Sequence, residues 1–597
     1  MDIFGILSLI GGLALFLYGM NVMGGGLEKL SGGKLERILE RLTSNPLKAV
    51  LLGAGVTAVI QSSSATTVMM VGFVNSGIMR LSQAIGIIMG ANIGTTITSW
   101  LLSLTRIESG NVFIRMLKPS SFTPILALIG IIFMMGAKSD KKKNVAEILL
   151  GFAVLMFGME AMSDAVKPLA DVPEFTGILT KFSNPLLGVL VGALLTAIIQ
   201  SSSASVGILQ ALSVTGAFTY GSVIPIIMGQ NIGTCVTAMI SSVGANKGAR
   251  RTAFVHLYFN VIGSVVFLIL YSILNAVFQF DFAKETIGAA GIAAIHSIFN
   301  IFATLLLLPF IKGLEKLAYL TIPITAEESE ASKGEDEFKV LDIRFLSTPS
   351  FAIERCVSLV KNMAKISEEV MMEAMNLFET YSEKQAELVE KQEDLLDKYE
   401  DKLGAYLTQL NSQNLTTKEG QSVSTLMHSI NDLERIGDHA LNLMEIARNM
   451  EKKKMEFSKK AKYEMDVFGA AVKDILNRSI RAFIEHDTGL ALSVEPLEEV
   501  IDDLNKEVRK RHIKRLRKGK CTIDLGLVLS DITVNYERVA DHCSNLAVYM
   551  IQMEDYTIEA HDYVNRLSGE VLEKFEQMQQ VFQEKYRLPS KKNEEGE

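Results

Sequence analysis

The sequence predicts an all-α protein in two parts: a polytopic membrane domain with inverted-topology repeats and re-entrant helical hairpins, then a soluble helical bundle. Three observations predict it. Long apolar runs fill the chain up to about Ile322, whereas beyond Thr325 it is rich in Glu, Lys, Asp and Arg. Thr57-Ala58-Val59-Ile60-Gln61-Ser62-Ser63-Ser64-Ala65 returns as Thr196-Ala197-Ile198-Ile199-Gln200-Ser201-Ser202-Ser203-Ala204, 139 residues later. The charged half has its own duplication, Glu434-Arg435-Ile436-Gly437-Asp438-His439 matching Glu537-Arg538-Val539-Ala540-Asp541-His542 at an offset of 103.

Averages hide this division. The 597 residues have a mean hydropathy of +0.26, and the net charge of -8 belongs mostly to the second half, with no sign of nucleic-acid binding. Cys235, Cys356, Cys521 and Cys543 lack paired spacing, which argues against a disulfide framework or a zinc site. The first apolar run lacks a basic leader, and its second copy at 151–169 lies deep in the chain, so it belongs to the fold and is not a signal peptide.

Runs 3–20, 122–136, 148–163, 252–275 and 287–311 approach or reach the roughly 20 residues that span a bilayer core. Lys138, Lys141, Lys142 and Lys143, then Lys247, Arg250 and Arg251, then Lys312 and Lys316, place three loops in the cytoplasm. The 276–286 loop, with Asp281, Lys284 and Glu285, fits outside. After its first helix, copy one carries Lys29, Lys34, Arg37 and Arg41, whereas copy two carries only Lys167 and Lys181 among Asp164, Asp171 and Glu174. The copies therefore turn on opposite sides, as inverted repeats do, and such repeats hold a site near the midplane. Arg106, Arg115 and Lys118 run against this assignment, since it puts them outside.

The ungapped repeat runs from about Gly12 to Thr96. Ser44-Asn45-Pro46 pairs with Ser183-Asn184-Pro185, and Asn92-Ile93-Gly94-Thr95 with Asn231-Ile232-Gly233-Thr234. In each copy an apolar stretch too short for a full span leads from Ser-Asn-Pro to Gln-Ser-Ser-Ser, and another returns to Gly77 or Gly216. That pattern predicts a helical hairpin with the serine tract at its tip. Serines at a helix start accept from free backbone N–H groups, and those groups attract anions. Two tips meeting mid-membrane would join six hydroxyls, two glutamine amides and helix dipoles; donors suit an oxyanion, and oxygens suit a small hard cation such as sodium. A single serine tract would more simply bond to the preceding turn or hold helices together. Its duplication, with Gln before and Asn-Ile-Gly-Thr after, favours binding. Asn92, Thr95, Asn231 and Thr234 add oxygens beside Gly94 and Gly233, where the helix is expected to loosen. His256 with Asn260 and His296 with Asn300 share helix faces at i, i+4 and are expected to pack against each other. Glu160 ends an apolar run and is expected at the interface.

On the duplicated Gln-Ser-Ser-Ser tracts and the trailing Asn-Ile-Gly-Thr segments, residues 1–320 resemble the sodium-dependent phosphate cotransporter family. The resemblance implies an inverted-repeat carrier working by alternating access, with Gln61, Ser62, Ser63, Ser64, Gln200, Ser201, Ser202 and Ser203 as ligands of phosphate and sodium. Copy two has Gln230 and Cys235 where copy one has Ala91 and Thr96, so the halves are chemically unequal. With no Lys or Arg in the core tracts, sodium would have to supply the charge that helix dipoles only partly provide. The implied function is sodium-coupled phosphate import. The alternatives are a membrane phosphate sensor without net transport, or a carrier for another oxyanion. No phosphate-cradling glycine loop or nucleophile elbow suggests an enzyme.

Residues 1–322 make the expected membrane domain, with repeats at about 5–136 and 147–311; 323–341 read as a linker, 342–586 as a helical bundle and 587–597 as a disordered tail. In the bundle, Glu434 with Asp438 and Glu537 with Asp541 sit at i, i+4, where two carboxylates can share a hard cation or pair with the intervening Arg. This half resembles the PhoU family, two three-helix bundles that regulate phosphate uptake. That resemblance implies a divalent or iron-type metal at Glu434, Asp438, Glu537 and Asp541. The whole is expected to be multi-pass in a prokaryotic cell membrane, with lipid, phosphate and sodium as partners, a cytoplasmic C-terminal domain and a homodimer as the candidate assembly.

Overall fold

The computed structural model describes residues 3–31, 38–39, 45–104, 119–137, 139–172, 184–323, 337–554 and 570–588. The expectations for Lys34, Arg37, Arg41, Arg106, Arg115, Lys118, Lys138, Glu174, Lys181 and most of the linker and tail fall outside these residues. Among the described residues the regular structure is helical, apart from one isolated bridge between Thr219 and Thr286. The chain forms two compact units, Met1–Phe351 and Ala352–Glu597.

In the first unit, α1 (Ile3–Ser31) and α6 (Asp140–Val166) are the opening helices of the two copies, and they pack against each other antiparallel. Glycine makes this contact. A Cβ on Gly19 would lie 2.3 Å from the Leu155 nitrogen and 2.6 Å from the Gly151 oxygen. One on Gly158 would lie 2.3 Å from the Phe16 nitrogen and 2.7 Å from the Gly12 oxygen. Small residues let helix backbones approach where lipid gives no hydrophobic drive. Gly12 and Gly19 are the repeat counterparts of Gly151 and Gly158, so the contact is reciprocal and equivalent helices run in opposite directions. Inverted topology requires that arrangement. α5 (Pro119–Gly136) packs beside α6.

The hairpins follow from their caps and notches. Asn45 caps α2 (Pro46–Ile60), its Oδ1 accepting from Leu47 N at 2.9 Å, with Pro46 in the first turn. Asn184 does the same for α7 (Pro185–Ile199), accepting from Leu186 N at 3.0 Å. After each, a second helix starts at the serines: α3 (Ser63–Asn75) and α8 (Ser202–Leu212). The helices α4 (Leu81–Ser103) and α9 (Tyr220–Ser241) then run parallel to α2 and α7, because Gly86 abuts Ala49 and Gly94 abuts Ala54, with the same order in copy two. α3 must therefore return to the level where α2 began, which makes the pair re-entrant. At 15 residues, α2 is about 22 Å long, short of a bilayer core of roughly 30 Å.

Two expectations need correction. Helix α4 does not loosen at Gly94, nor α9 at Gly233; both are continuous, and the glycines are packing notches whose Cβ atoms would meet Ala54 O at 2.5 Å and Ala193 O at 2.4 Å. Among the described residues, six helices are long and apolar enough to cross a membrane, including α4 and α9, which were absent from the expected runs. These two are largely buried in protein, so their polar Gln, Asn and Thr residues are sheltered from lipid and dilute the hydropathy that marks a span.

The remaining spans are α10 (Lys247–Phe278) and α11 (Ala289–Leu307), the latter continuing into α12 (Ile311–Thr321). Arg251, almost wholly buried near the start of α10, donates from Nε to Ile322 O at 2.8 Å and lies 4.5 Å over the Tyr319 ring. Beyond α12, a 3-10 helix at Ile343–Ser347 straps onto the end of α3. Phe345 is fully buried against Gly72, where a Cβ would lie 2.8 Å from its ring, and packs on Phe73 and Phe351 at centroid distances of 5.5 and 4.9 Å. Asn75 donates to Asp342 at 2.6 Å, Arg344 pairs with Asp342 at 2.8 Å, and Arg344 Nε donates to Ser241 O at 2.8 Å. This packing explains why the units divide after Phe351, whereas the sequence suggested a boundary near 342.

In the second unit, α13 (Pro349–Asn376), α14 (Glu383–Asn411) and α15 (Thr417–Lys453) form one triplet, and α16 (Lys459–Glu485), α17 (Val494–Arg517) and α18 (Ile523–Glu554) the other; α19 (Glu570–Lys585) follows. α15 and α18 meet along a seam that is again reciprocal. His439 Nδ1 bonds Asn535 Oδ1 at 2.8 Å, and His542 Nδ1 bonds Asp432 Oδ1 at 2.7 Å. Asp432 and Asn535 are 103 residues apart, as are the histidines.

The glycine seam makes a direct prediction. Gly158→Val should lower the melting temperature of the detergent-purified protein sharply, by about 1–3 kcal/mol or more of overpacking. Gly11→Ala, where a Cβ meets nothing within 4 Å, should leave it unchanged.

Candidate functional site

The site begins with two breaks in the backbone. Gln61 (φ 62°) and Gln200 (φ 59°) adopt the left-handed conformation, uncommon for a residue with a side chain. Each closes its helix by donating its N–H to Thr57 O or Thr196 O, both at 2.7 Å. The next residue is extended and caps the following helix: Ser62 Oγ accepts from Ala65 N at 3.1 Å, and Ser201 Oγ from Ala204 N at 3.2 Å. The first-turn amides of α3 and α8 have no carbonyl one turn earlier, so each tip presents N–H groups and the positive end of a helix dipole.

The two tips meet. Ser64 Oγ donates to Gln200 O at 3.4 Å, joining copy one to copy two. Ser201 Oγ lies 4.0 Å from Met20 Sδ, which brings α1 to the same place. Ser63, Ser202 and Ser203 are buried, whereas Ser62, Ser64 and Ser201 are half-buried and Gln200 is exposed. Gln61 is held against α4: its Oε1 accepts from Thr98 Oγ1 at 2.8 Å, and its Nε2 donates to Ala58 O.

The flanking residues are buried but bond locally. Asn92 and Asn231 donate to the carbonyls of Ile88 and Ile227 at 3.2 and 2.9 Å, and Thr95 and Thr234 to those of Ala91 and Gln230 at 3.0 Å. Thr98 is the functional neighbour that sequence reasoning passed over. A signal existed, since Thr98 and Thr237 also repeat at 139 residues. The histidine pairs do not serve as expected. His296 Nδ1 bonds Ser99 Oγ of α4 at 2.9 Å, and Asn260 donates to Cys235 Sγ of α9 at 3.4 Å. Each pair thus fastens a late span to a repeat helix. Glu160 is exposed, six residues before the end of α6.

In the second unit the predicted carboxylates divide. Asp438 joins Glu393 and Asp397 of α14, and Asp541 joins Glu498 and Asp502 of α17; in each trio the oxygens lie within 4.8 Å of one another. Glu537 instead accepts from Asn505 at 2.6 Å. Glu434 stands beside the first trio, its carboxyl raised to about 7 by burial and by Asp438. Burial and neighbouring carboxylates also raise Glu393 to about 6 and Glu498 to about 8. An all-oxygen, mutually repelling donor set fits a hard multivalent cation. Sequence reasoning missed the four partners on α14 and α17, although Glu393 with Asp397 and Glu498 with Asp502 also stand at i, i+4.

An inverted repeat with two serine-tipped hairpins, joined to a duplicated helical bundle, defines a multi-pass membrane protein of a phosphate-transporter class. The chain belongs to the Na+/Pi-cotransporter family, whose profile matches residues 15–164 and again 154–294, and it carries a PhoU domain matched at 360–447 and 467–550. It is 25% identical over 519 residues to the "Putative inorganic phosphate export protein YjbB" of Escherichia coli K12, covering 86% of this chain and 91% of that one. It is 30% identical to the uncharacterized protein YqeW of Bacillus subtilis, covering 52% of this chain and 95% of that one. It is 26% identical to the rat sodium-dependent phosphate transport protein 2A, covering 32% of this chain and 29% of that one.

Convergence of the tips can be tested by cross-linking. With the four native cysteines replaced by alanine, Ser64→Cys with Gln200→Cys should be joined by a short bifunctional thiol-reactive cross-linker such as a bis-maleimide. Ser64→Cys with Leu186→Cys, roughly 20 Å further along α7, should not.

Proposed function

We propose that the protein is a sodium-coupled carrier that imports inorganic phosphate by alternating access, with a PhoU domain that regulates it. The observation that carries this reading is the contact of Ser64 with Gln200, between the tips of the two hairpins. Phosphate at neutral pH carries roughly 1.5 to 2 negative charges. Two helix N-termini offer about half a positive charge each. Among the described residues the serine tracts hold no Lys or Arg, and the buried Arg251 is engaged elsewhere, with Ile322 O and the Tyr319 ring. Sodium supplies the missing charge, which makes phosphate binding depend on it. Each net positive charge entering down a membrane potential adds about 2.3 kcal/mol per 100 mV.

Labelled phosphate should enter proteoliposomes under an inward sodium gradient and fail to do so when choline replaces sodium. Ser63→Ala and Ser202→Ala should each raise the half-saturating phosphate concentration about tenfold, as expected for loss of a hydrogen bond to a charged ligand. Uptake unchanged in choline would exclude sodium coupling, and competition by sulfate or arsenate would show whether other oxyanions enter. A second reading, phosphate export, is favoured by the name of the E. coli relative, which matches across both domains. Net efflux from phosphate-loaded vesicles against an inward sodium gradient would establish it.

For the PhoU domain, Glu393, Asp397 and Asp438, with Glu434 beside them, and Glu498, Asp502 and Asp541 would hold a divalent or iron-type cation. Adding manganese or ferric iron should raise the domain's melting temperature, and Asp438→Asn with Asp541→Asn should remove that shift. Regulation is expected to act through the strap. Phe345→Ala, a core truncation costing about 3–5 kcal/mol, should uncouple the transport rate from the phosphate history of the cells while leaving uptake sodium-dependent.

A further inference from the structure

We propose that repeat two contains a sodium site that repeat one lacks, formed by the side-chain oxygens of Thr196, Ser205 and Gln230. It deepens the carrier reading above and rests on it. All three residues are fully buried, with exposures of 0%. Thr196 Oγ1, Ser205 Oγ and Gln230 Oε1 are each without a hydrogen-bond partner. Buried polar atoms are nearly always paired, so three orphaned oxygens on neighbouring helices call for an ion or a water.

The packing brings them together. Thr196 lies in the last turn of α7, Ser205 in the first turns of α8, and Gln230 on α9. Gln230 Nε2 donates to Ser205 O at 3.0 Å, which fixes its carboxamide at α8 and leaves Oε1 over. Gly233, one turn after Gln230, approaches Thr196 so closely that a Cβ would lie 2.8 Å from Thr196 Cβ. The counterparts in copy one are Thr57, Thr66 and Ala91. There Thr57 Oγ1 donates to Thr66 Oγ1 at 3.0 Å, Thr66 Oγ1 donates to Ser62 O at 3.1 Å, and alanine offers no oxygen. One frame is therefore built twice, closed on itself in copy one and left open in copy two.

Neutral hydroxyl and amide oxygens suit a small hard cation. Ser205 stands one turn behind the tip, its N–H bonded to Ser201 O at 3.0 Å. A cation there would sit about 6 Å along the helix from the serines. At that distance it attracts an anion at the tip without occupying the anion's place.

The test uses the full-length protein in proteoliposomes, measuring initial phosphate uptake against sodium concentration, together with sodium-dependent melting temperature in detergent with choline as the balancing cation. Gln230→Ala and Ser205→Ala should each raise the half-saturating sodium concentration about tenfold in both measurements. Half-saturating phosphate measured at saturating sodium should stay near the wild-type value. Ser205→Thr, which restores a hydroxyl, and Thr66→Ala, which alters only the closed frame, should stay within about twofold of wild type. If wild type is sodium-dependent but Gln230→Ala and Ser205→Ala respond to sodium as wild type does, the oxygens hold only water and the site is refuted. If wild-type uptake is equal in choline, the carrier reading itself fails. Should one variant not fold, the other decides.

Discussion

A broken helix inside a membrane domain leaves backbone groups that neither lipid nor the helix itself can satisfy, and this constraint organises the first unit. The chain breaks twice, at Gln61 and Gln200, and in both places it limits the damage in the same way. The glutamine N–H closes the helix behind it, and the next serine caps the helix ahead. What remains open is the first-turn amides, and the fold turns the two sets toward each other at Ser64 and Gln200. Polar groups left over by one break thus face those left over by the other. A substrate placed between them meets donors from both repeats at once.

The surrounding helices hold that meeting point in register. Reciprocal glycines on α1 and α6 bring equivalent helices into backbone contact, which fixes the twofold relation between the copies. A second set, Gly86, Gly90 and Gly94 with Gly229 and Gly233, seats each span against its hairpin. Duplication supplies the frame, and substitution within it supplies the difference. Ala91 against Gln230 and Thr96 against Cys235 show this in the first unit, as Asp432 against Asn535 does in the second. A perfectly symmetric carrier would bind each ligand twice or on its axis; these replacements allow an ion to have one place only.

Much of this was legible in the sequence because repeats carry information that single motifs do not. The offset of 139 residues marked the hairpin tips, and the unequal Lys and Arg content after the first helix of each copy marked their inverted relation. α4 and α9 escaped the expected runs because Gln, Asn and Thr interrupt their apolar sequence, which spans buried in protein tolerate. Gly94 and Gly233 were misread because a glycine in a helix signals either a weak point or a close approach, and only the neighbouring Ala54 and Ala193 backbones decide which. The carboxylate partners on α14 and α17 were not legible because the trios are completed across helices, by residues far from the duplicated Glu-Arg motif in sequence.

The strap at Ile343–Ser347 is tied to the first hairpin and to α9 within the first unit. α3 has its first turn at the serine tip and its last residue, Asn75, bonded to Asp342. Phe345 fills the notch left by Gly72 one turn earlier, and Arg344 ties the same segment to Ser241 at the end of α9. A helix of 13 residues is about 20 Å of nearly rigid rod. A pull on the strap therefore acts at the far end of α3, where Ser62 and Ser63 stand, and reaches the second repeat through α9.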